Sequence, residues 1–223
     1  MMPQAVKTDP GLITYQTLRK VVGWLGISLA PAVIIGNYIF GNCTRIQDSI
    51  SHYYYTVTGN LFTGILCSNA MFLLAYRGYP DDKRDNRWSN WAGIFALCIA
   101  FFPTNNDSTD SCAIFHLDDN HLRRIIHYAS AALFFTLLAC MSLFLFTKSK
   151  GEMTKQKFQR NIVYLVCGVV IFLAIALAGL YGLFEQAGSR LSKIKPVFWL
   201  ETIALSAFGI SWLVKGGLVL KDK

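Results

Sequence analysis

Charge is scarce in this chain. Asp, Glu, Lys and Arg make up 15% of its 223 residues, where soluble domains run near about 25%. Proline is equally thin, at six residues, and no 20–50-residue period is visible, which excludes collagen-like chains and repeat arrays. Six cysteines over this length exclude a disulfide-dense mini-domain. None forms a Cys-x-x-Cys pair, so neither a zinc ribbon nor a thioredoxin-type motif is supported. There is no Gly-x-Ser-x-Gly elbow, no Walker loop and no Gly-x-Gly-x-x-Gly turn. A disordered chain is excluded by aromatics at 14%.

Apolar residues are abundant, at 53% with a mean hydropathy of +0.39, and they come in long blocks. A bilayer core of about 30 Å needs roughly 20 mostly apolar residues to be crossed by a helix. Six blocks approach that length: 21–40, 58–76, 88–102, 125–146, 162–184 and 197–220. The third is the shortest. The polar stretches between them are too short for a second domain. The expectation is therefore an all-α, polytopic membrane bundle of six transmembrane helices, forming a single domain over residues 1–223. The first block is too long for a cleaved signal peptide, and no small-residue cleavage site follows it. Pro31 inside it reads as a bend for packing, since membrane helices tolerate proline.

Lys and Arg in short loops set orientation. The N-terminal segment, the second and fourth loops and the C-terminal end hold fifteen of them, against six on the other side. Both termini are thus expected in the cytoplasm, with the first, third and fifth loops outward, in a plasma or bacterial inner membrane. This asymmetry accounts for most of the +8 net charge. No nucleic-acid partner is needed to explain it, and no RNA-binding signature accompanies it.

All four histidines, His52, His116, His121 and His127, fall on the expected outer side. Cys43 and Cys112 fall in outer loops and are candidates for a disulfide if that side is oxidising; free thiols are the alternative. The sequons at Asn42 and Asn106 lie on the same side. The remaining cysteines, Cys67, Cys98, Cys140 and Cys167, fall within helices as small core residues.

Ionisable residues at membrane depth default to a functional hypothesis, because each costs at least about 2.5–3.5 kcal/mol there. Glu201 lies roughly one turn below the outer interface, and Glu185 and His127 lie at similar depth. With Asp48, Ser51, His52 and Tyr53 they outline a possible outward-facing pocket. The structural alternative gives Glu201 a helix-capping role or a partner among Arg190, Lys193 and Lys195. Lys215 is expected to snorkel to the opposite interface. The run Tyr53-Tyr54-Tyr55 beside His52 suits an aromatic belt or the lining of a lipid headgroup site. Ala178-x-x-x-Gly182 allows close helix contact. The acidic loop 104–120 lacks EF-hand spacing. His116, His121 and His127 do not share a helix face. No metal site is therefore expected, with His52, His116, His121 and His127 as weak zinc candidates.

The order of features resembles the FRAG/DRAM/SFK group of six-helix membrane proteins and related bacterial families. The resemblance rests on Asp48-Ser49-Ile50-Ser51-His52-Tyr53 after the first helix and on His127 opening the fourth. That group carries an Ile-Ser-acidic-aromatic stretch; His52 stands here at its acidic position. The resemblance implies lipid organisation or lipid-anchor remodelling, not a particular mechanism. A second comparison is with the zinc hydrolases of the alkaline-ceramidase and adiponectin-receptor type, which use three histidines and an aspartate within seven helices. This chain has no His-x-x-x-His pair. The expected function is lipid binding or organisation through the outward pocket, with membrane lipid as partner. A metal-dependent lipid hydrolase and a transporter or proton-coupled channel are the alternatives; no inverted repeat supports the last.

Overall fold

The computed structural model describes residues 14–78, 83–106, 110–148, 153–184 and 190–220. Within them the chain is all-α, with α1 at Tyr15–Gly41, α2 at Gly59–Ala75, α3 at Lys83–Phe101, α4 at His121–Cys140, α5 at Lys155–Phe184 and α6 at Pro196–Lys215. A 3-10 segment, Ile50–Tyr55, joins α1 to α2, and a π turn, Met141–Leu145, extends α4. Four helices (α1, α4 with its π turn, α5 and α6) are long and apolar enough to cross a membrane; α2 is a shorter apolar helix.

Local signals explain the helix ends. The Thr14 hydroxyl accepts the Thr17 N–H at the start of α1, and the Asn120 side chain accepts the Arg123 N–H at the start of α4; both are N-caps. Pro196 opens α6 at its first turn, where no N–H is needed. Pro31 lies within α1 without ending it.

Five boundaries differ from the apolar blocks by four residues or more, two of them the starts of α1 (Tyr15, not residue 21) and α4 (His121, not residue 125). Helix α3 begins at Lys83, not Trp88, because its first turns are charged yet helical. Helix α5 begins at Lys155 instead of Ile162, with Thr154 accepting the Lys157 N–H. Helix α6 stops at Lys215, short of Leu220. Gly217 takes φ 69°, its N–H reaches the Val214 carbonyl and the Leu218 N–H reaches Leu213. That is a Schellman stop, which favours glycine in the left-handed region.

The six helices form a closed ring in chain order, with α6 packing on both α5 and α1. Aromatic rings fill its centre, with Phe134 of α4 across from Phe208 of α6 and Trp212 against Tyr76, Phe146 and Phe208. The α1–α6 crossing is set by glycine. A Cβ on Gly209 would lie 2.5 Å from the Gly23 carbonyl oxygen, and one on Gly23 would lie 2.8 Å from that of Gly209. Gly209→Val is therefore expected to destabilise the bundle by about 3 kcal/mol, the upper end of the overpacking range. Unfolding with a denaturing detergent in mixed micelles checks this; an unchanged midpoint refutes it. The Ala178-x-x-x-Gly182 expectation needs correction. A Cβ on Gly182 meets nothing within 4 Å, so this position makes no close helix contact within the chain.

Candidate functional site

The turns following α1, α3 and α5 meet at one end of the ring. Here residues 45–56 are strapped onto α6. The Phe198 N–H donates to the Asp48 carbonyl at 3.2 Å, Lys195 pairs with the Asp48 carboxylate, and the Ile50 N–H donates to Glu201 Oε2 at 2.7 Å. Glu201 thus caps the 3-10 segment of another part of the chain. Lys195, weighed from sequence as its partner, pairs with Asp48 instead.

The 3-10 segment turns Ser51 towards α4. His127, in the second turn of α4, is 2% exposed. Its Nδ1 lies 2.8 Å from the Phe102 carbonyl. A carbonyl only accepts, so Nδ1 carries the proton and the neutral ring presents Nε2 as an acceptor. Ser51 Oγ sits 3.1 Å from that Nε2 and donates to it. Next to this pair, Ser49 Oγ lies 2.7 Å from His52 Nδ1.

These groups line one end of a cavity of about 550 Å³. Asp48, Ser49, Ser51, His52, His127, Lys195 and Glu201 supply its polar end. Its remaining wall is mostly apolar and comes from α4 (Ala131, Ala132, Phe135) and α5 (Ile175, Ala178, Gly179, Gly182). A second cavity of about 200 Å³ shares Phe135 and Ile175 and extends between the same two helices to Ile171 and Phe172. Farther down, α4 and α5 close up. Ser142 donates to the Tyr164 carbonyl at 3.0 Å, and a Cβ on Gly168 would meet Leu143 at 2.4 Å. At the cavity, by contrast, a Cβ on Gly179 or on Gly182 would have no neighbour within 4 Å. The two helices are held together at one end and apart at the other.

The lid over this end of the ring is built from the tyrosine run and the loop before α4. Cys43 and Cys112 are joined by a disulfide, with Cα atoms 5.8 Å apart. The Ile114 N–H donates to the Tyr55 carbonyl at 2.8 Å, Phe115 packs on Tyr54 and Tyr55, and the Tyr55 hydroxyl donates to the Thr104 carbonyl. Tyr53 and Tyr55 are buried, at 1% and 0% exposure. Burial pushes both phenols above their usual range, so they stay protonated donors. Tyr53 does not line the cavity; its ring packs on Phe198 behind the wall. Tyr53 and Tyr55 are thus the packing that fixes the 3-10 segment, while Tyr54 is half-buried and lines a separate groove with Ile114 and Phe115.

The structure therefore brings together Asp48, Ser51, His52, His127 and Glu201, and sets Tyr53 outside the lining. Glu185 lies outside the described residues. His116 and His121 are exposed, contact Asn106 and Arg124 respectively, and do not line the cavity. Among the described residues no three His, Cys, Asp or Glu side chains converge as a metal site. Sequence reading missed Ser49, Lys195 and the α4–α5 wall as parts of one site. Helical periodicity offered a signal for the wall, since Ala131, Ala132 and Phe135, and Ile175, Gly179 and Gly182, recur at 3–4-residue spacing.

It also missed Asp85, at the opposite end of the ring. This residue is fully buried in the first turn of α3, and Lys148 lies 3.5 Å from it. Nearby, Arg19 stacks over Tyr76 and Lys215 over Phe146. Lys215, expected to snorkel to this end, is half-buried with its ammonium over the Phe146 ring.

No family model matches the chain, nor does any curated protein or solved structure. The fold and cavity alone define the class: an all-α protein with membrane-length apolar helices and one polar-ended cavity set between two of them.

Proposed function

We propose that this is a six-span membrane protein that binds lipid through the α4–α5 cavity. Both termini lie in the cytoplasm, and the polar end of the cavity faces outward from a plasma or bacterial inner membrane. One observation carries the reading. Hydrogen-bonding groups from three separate chain segments converge at one end of a cavity whose apolar wall runs on between α4 and α5. An amphiphile fits that division, with its polar group among Ser51, His52 and Glu201 and its chain along Phe135 and Ile175. The outer flank of α5 suits lipid contact, since Val169, Phe172, Leu173, Leu177 and Leu180 are all exposed. Ligand cavities of this kind, apolar with a few converging polar groups, are the default binding sites in bundles.

Gly179→Phe tests the reading. Position 179 faces open space, so the ring enters the cavity without a backbone clash. Stability should hold or rise, because glycine disfavours a helix interior by roughly 0.5–1 kcal/mol. Lipid co-purifying with the protein, measured by mass spectrometry, should fall at least about tenfold, the change produced by about 1.4 kcal/mol of lost affinity. Unchanged lipid content in the folded variant overturns the reading.

A further inference from the structure

The Ser51–His127 pair has a feature that lipid binding does not need. The two residues are 76 apart in sequence, and both side chains reach the cavity. Nucleophilic catalysis needs a hydroxyl within hydrogen-bond reach of a base, and the base oriented by a third group. All three parts are present. Ser51 Oγ lies 3.1 Å from Nε2, and the Phe102 carbonyl, 2.8 Å from Nδ1, fixes the tautomer that leaves Nε2 free to accept a proton. The neighbouring Ser49–His52 contact differs in kind. It joins two side chains only three residues apart at the start of the 3-10 segment, so it forms locally without any docking of helices.

Resting on the lipid-binding reading, we propose that Ser51 is the nucleophile, and His127 the general base, of an acyl-transfer site for an ester-linked lipid. The apolar wall of Phe135, Ile175 and Ala178 would hold the acyl chain, with the ester carbonyl at Ser51. Ser51 Oγ attacks the carbonyl carbon while its proton passes to His127 Nε2. The bond to the alcohol oxygen breaks, and that oxygen takes the proton from Nε2. An acyl ester on Ser51 remains. Water then attacks it and gives a proton to Nε2. Ser51 Oγ departs and recovers that proton, so ester and water become acid and alcohol. Glu201 is a positioning residue: its carboxylate holds the Ile50 N–H, one residue before the nucleophile.

The test uses a hexadecyl fluorophosphonate, whose phosphorus forms a bond to an activated serine oxygen as fluoride leaves. The full chain in detergent micelles is incubated with it, and the modified peptide is located by mass spectrometry. The expected result is one adduct, on Ser51. It should persist in Ser68→Ala, an exposed serine of α2 outside the cavity, disappear in Ser51→Ala, and form at least about 100-fold more slowly in His127→Gln, the low end of a general-base contribution. A folded chain that retains its lipid yet gives no adduct at Ser51 overturns the acyl-transfer assignment and leaves lipid binding standing. An adduct at Ser51 in a chain that carries no lipid supports the nucleophile and counts instead against the binding reading. Mapping on the unaltered chain carries the test even if a variant fails to fold.

Discussion

Replacing His127 by alanine is expected to destabilise the bundle by about 2–4 kcal/mol, within the range for emptying a buried site. The ring is 2% exposed and ties three segments together: α4, the end of α3 through Phe102 and the 3-10 segment through Ser51. Hydrogen bonds in membrane proteins average only about 0.6 kcal/mol in double-mutant cycles, so most of the loss comes from packing. The bonds still separate the variants. Asparagine places an amide N–H near the Nδ1 position and keeps the Phe102 bond, whereas glutamine places its amide near Nε2 and keeps contact with Ser51. Both should lose less than alanine does. Denaturing-detergent titration of the three variants gives the order; an alanine variant as stable as the parent refutes it.

The same residue shows what was readable in advance. That His127 lies near the start of a helix followed from the apolar block after it. That its ring meets Ser51 and Phe102 did not, because partners so far apart in sequence are chosen by how α3 and α4 dock. Helix existence was legible wherever apolar residues ran unbroken. The start of α3 was not, since Lys83, Arg84, Asp85 and Arg87 read as a loop until Asp85 is seen to be fully buried. Glycine spacing misled for a related reason. Ala178-x-x-x-Gly182 has the pattern of a packing stripe yet faces a cavity, whereas the tight crossing uses Gly23 and Gly209, which lie on helices far apart in sequence. The end of α6 was available, because the Gly216-Gly217 pair supplies the left-handed stop that the hydropathy pattern overran. The burial of Tyr53 and Tyr55 was hidden, since tyrosine suits an interface and a core equally.

Removing the Cys43–Cys112 bond is the second large effect expected. It spans 69 residues, a loop for which chain-entropy arguments give about 4 kcal/mol in a freely unfolding chain. On the six-span reading proposed above, the unfolded chain keeps its helices inserted in the membrane, so α2 and α3 already restrict where the two ends travel. The expected loss is thus smaller, about 2 kcal/mol, the low end of the usual range. The effect should also be local. The bond pins the loop before α4 to the end of α1. Without it, that loop is held to Tyr54 and Tyr55 by the Ile114 backbone hydrogen bond, the Tyr55–Thr104 hydrogen bond and the ring contacts of Phe115. In the Cys43→Ser, Cys112→Ser double variant, amide hydrogen exchange should rise across residues 110–120 and in the 3-10 segment. Exchange at the opposite end of the ring, around Tyr76 and Trp212, should stay as it was. A uniform rise over all helices would refute this local role, since it would mean that the bond holds the whole bundle rather than the lid at one end. The comparison also bears on the cavity. Ser51 sits in the segment that the lid covers, so loosening the lid should lower fluorophosphonate labelling of Ser51 while leaving the ring of helices folded.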